Sequence, residues 1–600
     1  MKSYYLRKNT ERGLTFIETV VGVALFVMIA STLFATYQRV FLTVKNAQSR
    51  INATALGNEQ LEIIRNLPYV QVGTQTGIPY GLIPAVQTLS RGGMTFVATT
   101  TVRNIDNTFD GTASGTPNDL SPADNKYVQI EITCTTCRYF RPLTLYTTVA
   151  PKDLEGASTN GSLFIRAIDA SGQPVQDADI TVFNSSTTPL ISLSDVTSTS
   201  GLLQIIDAPP ALSSYQIAVS KSGYSSERTY GAPTTTNPVF PHATVVAQTV
   251  TQLTFSIDRT ASLNFSSVTP SCSAVANVGT QVTGAKLIST LPNKYKYDRW
   301  FSTGGSGSFS LANMEWDTYT ILASSTTYDL AGIMPLSPMS ILPNATQNIQ
   351  LVMVPKASPS VLVSVKDTGT GLPISGATVT LDLAGASTTL TTGRGFLRQT
   401  DWSGGSGQDT IGNDTRFFAN DAGIDSIISP GNVKLYNTFG LYSTNGTLES
   451  STFDTGSASN FYQFTFLPTS QPAETGVNSP LFQIATGNST SSWTYLGPDG
   501  TAATFYTSTT TDIAPIHNAK RYFRYKMYLS TASTTYTPTI SDTMFTFTSS
   551  CVPPGQVLFQ SLANGTYDLS VTKSGYQDFT GTVTVNAATP WQEAQVTLAP

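Results

Sequence analysis

The feature that most constrains this chain is an apolar run near its start. The run extends from Leu14 to about Tyr37 and contains a single acid, Glu18. At 1.5 Å per residue, a helix of this length crosses the hydrocarbon core of a bilayer, which takes roughly 20 residues. A carboxylate near the start of such a helix costs about 2.5 to 3.5 kcal/mol on insertion scales. We therefore predict a membrane helix over residues 14–37 whose acid requires a cationic partner.

The residues around this run resemble the N-terminus of type IV prepilins. Gly13 precedes a hydrophobic helix in which Glu18 is the fifth residue, and four basic residues come before it: Lys2, Arg7, Lys8 and Arg12. In that family a prepilin peptidase cuts after the glycine and methylates the new amine, which implies a cleaved leader, residues 1–13. The resemblance also implies that the freed amine of Leu14 neutralises Glu18 of a neighbouring subunit during assembly. The mature chain would begin with Leu14, whereas phenylalanine is the commoner first residue in that family.

A secretory signal peptide and a plain signal anchor also contain an apolar run near the N-terminus. The apolar region of a signal peptide has only about 7 to 15 residues, so this run is too long for one. A plain signal anchor with an incidental acid stays open. The dense basic leader predicts a cytoplasmic N-terminus, with all later domains outside. The expected location is therefore a single pass of the inner (cytoplasmic) membrane, followed after assembly by the pilus or cell surface.

The helix is expected to continue beyond the membrane, over residues 14–67, with Pro68 ending it. Its second half shows an amphipathic pattern at these positions: Val40, Val44, Ala47, Ile51, Ala55, Leu56, Ile63 and Leu67. Residues 68–151 then contain three strand-like runs: Met94–Val102, Tyr127–Thr133 and Leu143–Val149. This arrangement resembles the small α+β head of pilins and pseudopilins.

The segment between the first two of these strands consists of turn residues and carries four acids: Asp106, Asp110, Asp119 and Asp124. They resemble loops that hold Ca²⁺ in some pseudopilins, but aspartate is also an ordinary turn residue, and no metal ligand is assigned. Cys134 and Cys137 lie between two strand-like runs and are candidates for a loop disulfide, because zinc requires two more ligands. The sequence does not determine whether Cys272 and Cys551 pair.

Composition favours extracellular β-structure. The chain has 600 residues, enough for four or five domains, and only 12% of them are charged, against about 25% in an average soluble protein. The net charge of -5 is small, and no basic run follows the N-terminus. Nucleic acid is therefore not an expected partner.

The chain repeats itself after a linker at residues 152–160. The repeated stretches are Gly161–Asp169, Gly172–Val182, Tyr215–Tyr224, Val361–Asp367, Gly371–Leu381 and Gly565–Tyr576. They resemble the carboxypeptidase regulatory-like domain, a prealbumin-like β-sandwich with a G-x-P-x-x-G-A-x-V turn and a Y-x-L-x-V-x-K-x-G-Y hairpin. We predict sandwiches at residues 161–256, 257–356 and 360–400 plus 551–600, since a repeat of this size indicates tandem modules.

The last sandwich is interrupted by about 150 residues, predicted to be a separate domain at 401–550. Its stretches Gly446–Gly456 and Arg521–Leu529 resemble those of galactose-binding-like jelly rolls, and Trp493–Gly500 is a further strand-like run. Alternation places four residues of the second stretch on one face: Phe523, Tyr525, Met527 and Leu529. The predicted fold class is mainly β: a long N-terminal helix with a small head, tandem sandwiches and this insert.

No catalytic residue or cofactor is assigned. The two histidines, His242 and His517, lie in different modules, which supplies neither Ser-His nor Cys-His catalysis. Four acids near the start of the insert form a second calcium alternative to a solvated loop: Asp409, Asp414, Asp421 and Asp425. Trp493 and Tyr495 are either core residues or a platform for sugar rings.

The expected function is that of a large minor pilin-like surface protein, which assembles through its helix and displays stalk and adhesive modules. Its expected partners are the prepilin peptidase, other pilin subunits, the membrane and a glycan or other surface ligand. Two alternatives stay open from the sequence. One is a minor pseudopilin of a type II secretion or DNA-uptake system, and the other is a membrane-anchored glycan-active enzyme with the insert as its catalytic domain.

Overall fold

The structure is a computed structural model that describes residues 15–152, 157–232, 235–403, 418–426, 431–509 and 511–600. The predicted fold class is confirmed, because one long N-terminal apolar helix is followed by many β-sheet modules. The chain divides into two compact units. The first contains the residues up to Asp258 together with Ile288–Asn293, and the second contains Arg259–Leu287 and Lys294–Pro600.

The first unit begins with helix α1, Phe16–Arg65, which packs its C-terminal half on an antiparallel sheet. The strands of this sheet, in the order in which they pair, are β1 Val86–Arg91, β2 Met94–Ile105, β3 Asn125–Cys134 and β4 Leu143–Val149. The buried stripe of α1 consists of Ser49, Ala53, Leu56, Gly57, Leu61 and Ile64. Helix α1 and this sheet, here called the head, share one hydrophobic core.

The amphipathic pattern predicted for the second half of α1 identified its buried face only in part. Ile51 and Ile63 are exposed, while Ala53 and Gly57 are buried. Gly57 explains the difference, because a Cβ there would lie 2.2 Å from the Leu145 side chain. The sheet approaches the helix where its smallest residues are, and the bulkier β-branched residues are turned outward.

A β-sandwich follows the head within the first unit. Its strands are β5 Gly161–Ile168, β6 Asp179–Asn184, β7 Ile191–Val196, β8 Leu202–Ala208, β9 Ala211–Ser220, β10 Glu227–Arg228, β11 Ala243–Val245 and β12 Val250–Ser256. One sheet has the order β12-β5-β8 and the other β10-β9-β6-β7, with β11 also on β9. Alternate residues of both sheets point into one core. The head contacts this sandwich through an Arg103–Asp195 ion pair.

The second unit begins with another sandwich. Its strands are β13 Ala261–Val268, β14 Gly279–Gly284, β17 Asp298–Ser302, β18 Ser308–Met314, β19 Asp317–Ser324, β20 Tyr328–Met334, β21 Met339–Ile341 and β22 Thr346–Pro355. Between β14 and β17 the chain forms a separate two-stranded sheet of β15 Leu287–Thr290 and β16 Asn293–Tyr295, and its residues Ile288–Asn293 belong to the first unit. Its two sheets have the orders β18-β13-β22-β20 and β17-β14-β19-β21. This sandwich is called the second sandwich below.

The third sandwich starts with β23 Ser360–Asp367, β24 Thr378–Leu383 and β25 Ala386–Thr391. The chain then enters the insert, whose strands are β26 Gly395–Gln399, β27 Phe418–Ala422, β28 Ile424–Asp425, β29 Val433–Leu435, β30 Asn437–Thr438, β31 Leu441–Tyr442, β32 Asn445–Ser450, β33 Phe453–Leu467, β34 Leu481–Gly487, β35 Lys520–Ser530, β36 Thr539–Ile540 and β37 Asp542–Thr548. Its main sheet has the order β26-β37-β33-β35-β32-β27, with β34 also on β35.

Four strands complete the third sandwich: β38 Gln556–Phe559, β39 Gly565–Thr572, β40 Phe579–Val585 and β41 Trp591–Leu598. β23 pairs with β41 in parallel and with β38 antiparallel, while β24 pairs with β39. Each sheet of this sandwich therefore combines strands from before and after the insert. Both contribute to one core.

Two local predictions for the insert differ from the structure. β26 was expected in the third sandwich, but it pairs with β37 inside the insert sheet, so the insert begins about six residues earlier than Asp401. The run Trp493–Gly500 was expected to be a strand and is irregular. The alternation in β35 does place its four apolar residues in the core, next to the buried Trp402. The jelly-roll assignment of the insert stays a prediction.

Candidate functional site

The start of α1 is built around Glu18. Thr15 is the N-cap residue, and its hydroxyl accepts a hydrogen bond from the Glu18 backbone N–H at 3.4 Å. In return, the Glu18 carboxylate accepts a hydrogen bond from the Thr15 backbone N–H at 3.0 Å. This reciprocal pair is a capping box, which satisfies two free N–H groups of the first helical turn. Glu18 thus has a local partner in addition to the expected amine, while Gly13 and Leu14 lie outside the described residues.

The side chains of the first half of α1 are exposed and do not pack on the head. This half contains a strongly apolar stretch of 18 residues, none of which is buried. Large side chains such as Phe16, Phe26 and Leu33 are each more than 60% exposed. By length and composition this helix is able to cross a membrane. An apolar surface of this length requires lipid or other helices to cover it.

A second candidate site is the acid loop, residues 106–124, which connects β2 and β3. One carboxylate oxygen of each of three aspartates accepts a backbone hydrogen bond: Asp106 from Ala113, Asp119 from Ser121, and Asp124 from Asn107. The other oxygen of each of these three is buried without a partner among the described residues. Burial, followed by the charges of the neighbouring aspartates, raises the pKa of Asp106.

Three carboxylates of the acid loop are close enough to share one cation and would supply three of the six to eight oxygen ligands that Ca²⁺ takes. Carboxylate oxygens of Asp110, Asp119 and Asp124 lie within 4.8 Å of one another. Two oxygens that each lie about 2.4 Å from one Ca²⁺ are at most about 4.8 Å apart. The unpartnered oxygens are the type of ligand that Ca²⁺ prefers, and a cation would offset the repulsion between the carboxylates. These residues are therefore the ones that would hold the ion.

Only two of the four acids near the start of the insert belong to the described residues. Asp409 and Asp414 lie outside the described residues, and Asp421 and Asp425 belong to strands β27 and β28. In the part of the chain that the structure describes, the acid loop is the only cluster of three potential metal-ligating side chains.

The aromatic residues of the irregular segment are packed against cations of β35. The Arg524 guanidinium lies 4.7 Å from the Trp493 ring centre, and Lys526 lies 5.7 Å from that of Tyr495. Burial raises the pKa of Tyr495 to about 12. Both rings are half-buried against β35 rather than displayed on the surface.

All four cysteines are paired, and one of the two histidines is buried. Cys134 is bonded to Cys137 and Cys272 to Cys551, so no thiol is free. The pairing of Cys272 with Cys551 joins the second sandwich to the exit of the insert. His517 is almost fully buried, and its Nδ1 lies 3.0 Å from the Thr486 hydroxyl. Burial lowers the pKa of His517 to about 4.

No protein-family model and no curated protein matches this sequence. Among solved structures, it is similar to the Bacillus anthracis TIE protein, at 12% identity over 52% of this chain and 67% of that chain, with a TM-score of 0.15. It is also similar to the shaft pilin SpaA from Lactobacillus rhamnosus GG, at 13% identity over 33% of this chain and 98% of that chain, with a TM-score of 0.14. A minor pilin of Streptococcus agalactiae is similar at 11% identity over 33% and 97%, with a TM-score of 0.16. TM-scores of this size carry no argument about fold or function, so the role of this chain has to be argued from its own residues.

Proposed function

We propose that this protein is a large minor subunit of a type IV pilin-like fibre, anchored through α1 and displaying its β-sandwich modules at the cell surface. The observation that carries the proposal is the division of α1 into a bare apolar half and a half packed on the head sheet. A helix of 50 residues is about 75 Å long. Its exposed half suits either a bilayer before assembly or a bundle of like helices afterwards.

The proposed processing step is cleavage by a prepilin peptidase between Gly13 and Leu14. Gly13→Leu should leave the leader attached, because a bulky side chain blocks the cut that the motif implies. Mass spectrometry of the membrane fraction measures the difference of 13 residues directly. Normal processing of Gly13→Leu would show that the family assignment is wrong.

The capping box allows a sharper test of Glu18. Glutamine at this position keeps the capping geometry but removes the charge, whereas Thr15→Val removes the threonine hydroxyl and keeps the charge. If Glu18 neutralises the amine of a neighbouring subunit, Glu18→Gln should be processed normally but excluded from filaments, and Thr15→Val should assemble. The reverse result, with Glu18→Gln assembling and Thr15→Val failing, would assign Glu18 to helix capping alone.

The size of the chain supports a minor position in the fibre. Removal of residues 1–13 would leave 600 − 13 = 587 residues, and most of them would have to fit beside neighbouring subunits. Quantitative mass spectrometry of purified filaments should therefore find this chain well below the main subunit. Finding it as the main subunit would contradict the proposal.

We also propose that the acid loop binds Ca²⁺ and that the ion stabilises the head. Saturation at 100 times the dissociation constant would add about 2.7 kcal/mol to the stability of the head. Millimolar Ca²⁺ should raise the melting temperature of the full chain in detergent, and Asp124→Asn should abolish the rise. Asp421→Asn, on strand β27, is the control and should keep it. An unchanged melting temperature in the native chain with and without chelator would refute calcium binding.

A further inference from the structure

A cavity of about 320 Å³ lies within the second unit, where the second sandwich, the third sandwich and the insert meet. Ala331 and Val352 contribute from the second sandwich, Thr378 from the third sandwich, and Phe396 from the insert. Its volume is at the small end of the range found for ligand sites, about 300 to 1,000 Å³. The cavity therefore suits a ligand the size of a single sugar unit.

The walls of this cavity are held together covalently. Val552 and Pro553, which line it, directly follow Cys551, and Pro270, on another side, precedes Cys272 by two residues. The disulfide between these cysteines fixes the two segments relative to each other. In addition, the Gln556 side chain bonds to both the backbone N–H and the carbonyl of Ile333. A site preorganised in this way loses less entropy when it binds a ligand.

The charge in the cavity is a single unpaired guanidinium. Arg394 is half-buried, and of the described residues that line the cavity it alone is charged. Its guanidinium lies 3.8 Å from the ring centre of Tyr462, and no carboxylate of the described residues forms an ion pair with it. The planar fork of an arginine matches a carboxylate with two parallel hydrogen bonds. One such cation balances one carboxylate but not a doubly charged phosphate.

The rest of the lining combines neutral hydrogen-bonding groups with an aromatic ring. Thr378 and Thr391 supply hydroxyl groups, Gln463 supplies an amide, and Phe396 and Leu390 supply apolar surface. Hydroxyl and amide groups suit a ligand with several hydroxyls, while an aromatic face suits the C–H side of a sugar ring. The lining thus favours a hydroxylated acid over a purely apolar one.

We propose that this cavity binds a sugar acid, with its carboxylate on the Arg394 guanidinium, its hydroxyls on Thr378, Thr391 and Gln463, and its ring against Phe396. This inference rests on the proposed display at the cell surface and gives a ligand class to the adhesive modules that the sequence predicts. It places the binding site at the junction of three modules rather than inside the insert. Binding to the solubilised chain does not involve processing or assembly, so its failure can be told apart from a failure of the fibre proposal.

The test is binding of glucuronic, galacturonic and N-acetylneuraminic acids to the full chain in detergent, by saturation-transfer NMR and calorimetry at low salt. Glucose and galactose are the neutral controls, and acetate tests the carboxylate alone. At least one acid should bind, and at least tenfold more tightly than its neutral counterpart and acetate. Failure of all three acids, or equal binding of glucose or galactose, would overturn the proposal.

Two arginine variants locate the binding. Arg394→Met should reduce affinity for the acid at least tenfold, because the charge and the fork are both lost. Arg299→Met is the matched control, since Arg299 also lies over a tyrosine ring, that of Tyr297, but does not line the cavity. If Arg394→Met lowers the melting temperature, Arg394→Lys decides the question, because it keeps the charge and should still weaken binding several-fold. Unchanged affinity in the folded Arg394 variants would refute the site.

Discussion

Acidification should destabilise the insert through His517. This imidazole is 2% exposed, and its Nε2 has no partner among the described residues. Burial therefore lowers its pKa from 6.5 to about 4. Between these values the unfolded chain takes up a proton that the folded chain does not, so stability is lost as the pH falls through this window. At about 1.4 kcal/mol per pH unit, the loss by pH 4 amounts to about 3 kcal/mol.

The assay exploits the presence of only two histidines. In a His242→Gln background, selectively labelled chain should give a single imidazole signal whose titration reports the pKa of His517. Chemical denaturation at pH 7 and pH 4.5, with His517→Gln as the variant that cannot titrate, measures the energetic effect. The free energy of unfolding of the native chain, relative to that of His517→Gln, should be smaller at pH 4.5 than at pH 7. An imidazole pKa at or above 6.5, or a difference that does not change with pH, would refute the reasoning.

Three further predictions concern a buried lysine, the long-range disulfide and the first strand of the insert. Burial lowers the pKa of Lys126 to about 8. Between pH 8 and pH 10 the unfolded chain therefore holds a proton that the folded chain has lost, and the native chain should gain stability relative to Lys126→Met as the pH rises. A difference in melting temperature that does not change with pH would contradict this. Replacing both Cys272 and Cys551 by serine should destabilise the second unit by about 6 kcal/mol if the bridge acts by restricting the unfolded chain, because it closes a loop of 279 residues. An unchanged calorimetric transition would contradict this. A fragment of residues 394–550 should fold more stably than one of residues 401–550, since only the longer one contains β26, and equal denaturation midpoints would show that this strand is dispensable.

The sequence predicts buried residues best in an element that has a single periodic apolar pattern and a single buried face. The alternating residues of β35 are an example, because a strand with one face on a core has only one register that buries all of them. The amphipathic half of α1 was harder, since two stripes of the helix carry apolar residues. The choice between them depends on how closely Leu145 approaches Gly57, which is a tertiary contact.

The candidate sites were predictable to different degrees. The acids of the acid loop are close in sequence, so a turn can bring them together, but from the sequence calcium was one of two alternatives and no ligand was assigned. The cavity around Arg394 has walls from three modules separated by hundreds of residues, and the Cys272–Cys551 bridge spans two of them. No periodicity or spacing in the sequence predicts that these three modules pack around one cavity. The β26 strand was missed for a similar reason, because its partner β37 lies more than 140 residues later.

The Cys272–Cys551 bridge also changes how the chain would carry a mechanical load. A surface protein that holds a ligand while its base is fixed is pulled along its length. Without the bridge, unfolding of the residues between the two cysteines would release roughly 900 Å of slack at about 3.3 Å per residue. With the bridge closed, tension applied between the helix and the C-terminus passes from Cys272 to Cys551 without stretching the segment between them. The insert and the strands of the second sandwich that follow Cys272 are then spared from that force, whereas β13, which precedes Cys272, still carries it.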